Sequence, residues 1–121
     1  MVNQQLLPLM GRLDGPSVAP CSVVARCTTY RQAVRLAWAL SRVAGPNQRR
    51  LKSLLAQVAG MYAPHVSDYL NPDDAPHRRS LPADRIPPFE GFVGNTIVSQ
   101  WLALQARLTV LEELQASRLA A

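Results

Sequence analysis

Apolar positions begin to recur at helical spacing from about residue 30 onward. Ala33, Leu36, Ala37, Leu40 and Val43 or Ala44 share one stripe, while Arg31, Arg35, Trp38 and Arg42 lie on another face. That pattern predicts an amphipathic helix opened by the cap pair Thr28-Thr29. Gly45-Pro46-Asn47 marks a turn, with Asn47 as the cap of a second helix that runs to about Ala59 and buries Leu51, Leu54, Leu55 and Val58. A third helix is predicted over about Ala63 to Leu70. Proline is tolerated in a first turn, as at Pro64, and Pro72 disfavours helix at Asn71. After a polar loop over 71–80, Pro82 to Val93 reads as a short fourth helix, kinked or restarted at Pro87-Pro88 and stopped at Gly94-Asn95. Thr96 opens a last helix. Its apolar seam, Trp101, Leu104, Leu108 and Leu111, reaches toward Leu114 and is too long for one small core to cover, which suggests a partner.

Residues 1 to about 28 show no such period and are broken by Pro8, Gly11, Gly15, Pro16 and Pro20. They predict an arm, poorly ordered or draped over the domain; a dispensable extension from an upstream start codon fits equally well. The expected class is all-α. It comprises an arm over 1–28, a five-helix domain over 29–104, and a C-terminal extension over 105–121 that serves as a dimerisation segment.

The most informative stretch is Leu55 to Asn71, LAQVAGMYAPHVSDYLN. Ala56 is small where two helices cross closely. Gly60, four residues on, suits the left-handed position that ends the first helix. Val66, six residues past that glycine, turns inward, and Tyr69 and Leu70 continue the inward face. With the VSxxLN ending and the basic residues on its flanks, this is the pattern of a DNA-reading helix-turn-helix, whose two helices cross steeply. The alternative is a plain helical hairpin.

Composition agrees. The 121 residues suit one domain, 48% hydrophobic but only 6% aromatic, so the core is mainly Leu, Val and Ala. Net charge is +5 and the pI near 10.0, as expected of a partner to polyphosphate or an anionic surface. Between Gly15 and Ser67 there is no acid, whereas Arg26, Arg31, Arg35, Arg42, Arg49, Arg50 and Lys52 all fall there; the acids follow from Asp68 on. That asymmetry predicts an anion-facing side. Cys21 and Cys27 form neither a disulfide framework nor, with His65 and His77, a zinc spacing, and are expected as reduced thiols. No cofactor is implied. No run has the length of a membrane span, the first residues do not read as a signal peptide, and Pro20 before Cys21 argues against a lipidation box; the expected location is the cytoplasm.

The order of helix, basic turn, helix-turn-helix, Arg78-Arg79 loop, Leu81-Pro82, short helix, Gly94-Asn95 and Trp101-Leu102 helix resembles the lambda-repressor-like (Cro, or XRE-type) DNA-binding domain. The likeness covers about residues 28–104, and its RRSLP and GNTIVSQWL segments look like those of phage-encoded regulators. The run AGMYAPHVSDYLN also looks like the lactose-repressor family's AGxSxxTVSxxLN, although length and the motif's central position exclude a full repressor of that kind. Two residues depart from these families: Tyr62 stands where a Ser or Thr cap is usual, and Asp68 where an Arg or Gln often reads a base.

The resemblance implies a sequence-specific regulator of transcription, a homodimer on a two-fold operator in double-stranded DNA, with the helix at 63–70 in the major groove. By position its base-reading residues are Ala63, Pro64, His65, Ser67 and Asp68. Ala63 or Pro64 would touch a thymine methyl, Ser67 would serve either base type, and Asp68 would accept from a cytosine amino group; His65 suits a phosphate as well as a base. Gln48, Arg49, Arg50, Lys52 and Tyr62 on one side and His77, Arg78 and Arg79 on the other would hold phosphates. The seam Trp101, Leu104, Leu108 and Leu111 would join the two copies. A second reading is an antitoxin-like interaction protein that masks a partner with the helix Gln105 to Leu119 and regulates its own gene. An enzyme is not expected, since no nucleophile, base and orienting group are implied together.

Overall fold

The computed structural model describes residues 15–43, 45–107 and 110–120, and the regular structure among them is all helical, as the apolar spacing predicts. Seven α-helices follow in order: α1 (Cys21–Val24), α2 (Tyr30–Ala39), α3 (Gln48–Ala59), α4 (Ala63–Leu70), α5 (Ile86–Val93), α6 (Ile97–Ala106) and α7 (Val110–Ala120). A 3-10 turn, Ala83–Arg85, leads into α5. Among the described residues no helix is long and apolar enough to cross a membrane. Phe89, Leu55, Ile97, Val24, Val34, Val66, Val93 and Val98 fill the core, with α2 laid against α4, α5 and α6, and α3 against α4 and α5.

The caps explain most of the boundaries. Thr29 Oγ1 accepts from the Gln32 N–H at 3.2 Å and Asn47 Oδ1 from the Arg50 N–H at 3.0 Å, so α2 and α3 start where the sequence predicts. Helix α4 spans the expected residues, with Pro64 in its first turn and Asn71, before Pro72, as its end. The restart near Pro87-Pro88 takes the form of the 3-10 turn passing into α5, both prolines lying in the first turn where no N–H is missed.

Asn95 is fully buried and closes two helices at once. Its Nδ2 donates to the carbonyls of Ala37 (3.0 Å) and Leu40 (3.5 Å) at the end of α2, and its Oδ1 accepts from the Ile97 N–H (3.2 Å) at the start of α6. This is why α2 stops at Ala39 and does not reach Val43. Thr96 occupies the cap position of α6 but its side chain does not cap. The buried Glu90 does that work, accepting from the Ser99 N–H and hydroxyl, both at 2.8 Å, while burial pushes its carboxyl above the usual carboxylate range.

Four expectations need correction. The first is the domain boundary at 28/29: residues 1–14 lie outside the described ones, but from Gly15 on the arm takes the draped form of the two expected and packs on the domain. The Ser17 N–H donates to Gly94 O (2.8 Å) and the Thr96 N–H to Ser17 O (2.9 Å). The Gln100 carboxamide takes the Ala19 N–H (2.9 Å) and donates to the Ala19 carbonyl (2.7 Å). Ala19 and Val24 enter the core, so the folded unit begins well before residue 29. Second, α3 buries Leu55, Ala56 and Ala59 and turns Leu54 and Val58 outward, 42% and 64% exposed. The two alanines allow the close approach to α4, and the larger apolar side rotates away from it. Third, the last helix is two helices. Arg107 has φ 57°, the left-handed region, and ends α6 before α7 begins. Fourth, Trp101 is not part of an open seam: it is 8% exposed, with its indole N–H donating to Cys27 O at 2.9 Å. Leu104 is 37% exposed, while Leu108 and the side chain of Leu111 lie outside the described residues.

Candidate nucleic-acid interface

Helix α3 ends at Gly60, whose φ of 68° only glycine adopts without strain, and the Met61 N–H closes back on Ala56 O at 2.8 Å. Tyr62 is extended and α4 leaves at once in a new direction, pinned from beneath by the buried Val66. The turn sets the first half of α3 beside the first half of α4. Between them lies a cleft of 430 Å³ lined by Arg49, Lys52, Ser53, Ala63, Pro64 and Ser67. Three of the five candidate base readers thus share a concavity with two of the candidate phosphate holders. Ser53 was not singled out from the sequence; its position one turn after Arg49, on the same flank, is the signal that finds it.

The remaining candidates scatter. Arg50 lines a separate hollow on the other flank of α3, with Gly45, Pro46, Asn47, Leu51 and Leu54. Gln48 is engaged inside the protein, its Oε1 accepting from the Trp38 indole N–H (2.9 Å) and its Nε2 donating to Gly45 O (3.2 Å). Tyr62 is 65% exposed and meets His65 edge to face, ring centres 4.7 Å apart. The Tyr69 ring is also near the imidazole, centres 6.4 Å apart. His77 is exposed in the loop.

The basic and acidic blocks of the sequence meet in space, which corrects the expectation of one uniformly anion-facing side. Arg31 and Arg35 on α2 grip Asp74, with Arg31 Nε at 2.8 Å and Arg35 Nη1 at 2.7 Å from Oδ1 and Arg35 Nη2 at 3.2 Å from Oδ2. Arg31 Nη2 also donates to the Asp68 and Asn71 carbonyls, both at 2.8 Å, and Arg31 Nη1 donates to Arg79 O. Arg78 was expected to hold a phosphate. Instead its Nη1 lies 3.0 Å from Asp68 and its Nη2 3.4 Å from Asp73. Asp68 in turn is held by Arg78, and that pairing keeps its carboxyl below the usual range, so it does not stand free to accept from a cytosine. Arg49, Arg50 and Lys52 have no such partner: among the described residues no acid pairs with any of them.

No family model, no curated protein and no solved structure matches this chain.

The clamp on Asp74 has a pH signature. Hydrogen bonds from Arg35 and Arg31 hold its carboxyl at about 2, below the ordinary 3.8. A depressed carboxyl stabilises the fold above its unfolded value and loses that contribution as pH falls through its folded value. Wild-type protein is therefore expected to melt higher than Asp74→Asn at pH 5, and the gap to close between about pH 4 and 2. A constant gap across that window in a thermal melt series would show that the clamp does not depend on charge.

Proposed function

We propose that this chain is a sequence-specific double-stranded DNA-binding regulator of transcription, of the lambda-repressor-like kind found in phage and prophage, acting in the cytoplasm. One observation carries the reading. Arg49 and Lys52, with no acid partner among the described residues, line the same cleft as Ala63, Pro64 and Ser67 at the leading edge of α4. The neighbouring Arg31 and Arg35 on α2 and Arg78 in the loop are spent on internal acids, so much of the positive charge left over lies where α4 would enter a groove. Arg49 and Lys52 take phosphates and fix the register; Ala63 and Pro64 reach thymine methyl groups, and Ser67 takes a base edge of either type.

The regulator acts as a homodimer, because a two-fold operator needs two copies of α4 about one turn of DNA apart. Helix α7 is the surface offered for pairing. Leu114 and Leu119 are 57% and 87% exposed on it, and an isolated helix of its 11 residues is marginal in water without a partner. The same exposed leucines also suit the antitoxin-like alternative, in which a different protein covers them.

Titration of a mixed-sequence duplex is expected to show binding that weakens steeply with salt, log K falling against log salt with about 0.9 of slope per phosphate held. Arg49→Ala is expected to flatten that slope by about one unit for all sequences alike. Absence of binding at low salt would overturn the reading. Sedimentation of the free protein, wild type against Leu114→Glu, separates self-pairing from a monomer awaiting another partner.

A further inference from the structure

We infer that Asp68 is a positioning residue and that Arg79, held by it, reads a guanine in the major groove; the inference rests on the DNA-binding reading above. The helical period of α4 turns Val66, Tyr69 and Leu70 inward and puts Pro64, Ser67 and Asp68 on its outer side. Arg49 and Lys52 border that outer side from α3. Asp68, in the second half of α4, faces the following loop, where Arg78 and Arg79 stand beside it.

The Arg79 guanidinium approaches Asp68 by one edge only, with Nε 3.8 Å from Oδ2. Its backbone is held as well: its carbonyl accepts from Arg31 Nη1. The side chain is nonetheless 58% exposed, and among the described residues neither terminal Nη has a hydrogen-bond partner. An arginine whose ion pair lies on the Nε edge leaves Nη1 and Nη2 together as a planar fork. That fork matches guanine O6 and N7, the commonest specific pairing in the major groove. A phosphate accepts the same fork, but the Asp68 carboxylate just behind it would repel a phosphate, whereas it does not repel the neutral edge of a base. Arg78 takes the other oxygen of Asp68 at 3.0 Å and so keeps the carboxylate in place. Asp68, at first sight a misplaced acid on a DNA-facing helix, becomes the support of the group that reads.

Selection of bound duplexes from a random pool tests this. Wild-type protein is expected to require one guanine in each half-site. Arg79→Ala should lose that requirement, with about tenfold or more of discrimination gone at that base pair and the other positions unchanged. Arg79→Lys should not restore it, because an ammonium is a point charge without the fork. Asp68→Asn should weaken preference for the same guanine while affinity for random duplex stays equal or rises, since a negative charge has been removed.

Any of five results would overturn the inference. An equal loss for all sequences in Arg79→Ala would be a phosphate contact. A change at a different base in Asp68→Asn would be direct reading by the acid, and no change at any base would make Asp68 a bystander. Wild-type binding with no guanine dependent on Arg79 sinks this inference alone, whereas a wild type that binds no duplex sinks the DNA-binding reading with it. Arg79 is exposed, so its variants carry the test even where Asp68→Asn fails to fold by circular dichroism.

Discussion

Asn95→Ala is expected to lower folding stability by about 3 kcal/mol, because buried groups at the ends of two helices lose their partner together and each orphan costs roughly 1–3 kcal/mol. The Ala37 and Leu40 carbonyls lose the carboxamide donor and the Ile97 N–H loses its acceptor, at a site with no exposure to water. Asn95→Asp is the sharper comparison. It keeps an acceptor for Ile97 but sets a carboxylate against two carbonyls, so it should be at least as damaging despite its similar shape. Urea unfolding followed by circular dichroism reads both, and an unchanged m-value would show that the loss lies in the native state. A loss under about 1 kcal/mol for Asn95→Ala would mean that α2 and α6 end where they do without the cap.

The largest effect on binding is expected from reversing charge in the cleft. Arg49→Glu with Lys52→Glu should reduce affinity for any duplex by about a hundredfold or more at 0.1 M salt and flatten the salt slope by about two units. Arg26→Glu is the control, since it changes the charge of an exposed residue on the N-terminal segment, away from the cleft. An exposed charge that holds no phosphate is screened at that salt, so the control should stay within a few fold of wild type. Arg26→Glu changes the net charge by half as much, so a loss of about half the logarithmic size there would mean that DNA responds to net charge and not to the cleft.

What the sequence made legible was local. The caps at Thr29 and Asn47, the left-handed Gly60 and the limits of α4 follow from short-range chemistry that the chain states within a few residues. The inward Ala56 and Val66 were equally readable, because small and apolar residues at that spacing have few other uses. The N-terminal segment was not readable, because its anchors, Ala19 and Val24, are single residues and its backbone is held by Gln100, 81 positions away. The break at Arg107 left no mark, since arginine is a good helix former and nothing around it signals a left-handed residue. The face of α3 was misjudged for a related reason. Leu54 and Val58 are the more hydrophobic choice, but close helix contact selects the alanines. That Arg49, Lys52, Ala63, Pro64 and Ser67 share one cleft follows from position along two neighbouring helices, whereas the pairing of Arg31, Arg35 and Arg78 with acids 5 to 43 residues distant lies beyond any spacing rule.

The grip of Arg31 on the end of α4 bears on what binding would cost. Its guanidinium satisfies the carbonyls of Asp68 and Asn71, two of the acceptors that a helix leaves open at its C-terminus, and ties them to α2. A helix fixed in this way has little orientational freedom left to surrender when it docks. Such preorganisation shifts the entropic cost from association to folding, and an interface built on it can be tight without being large.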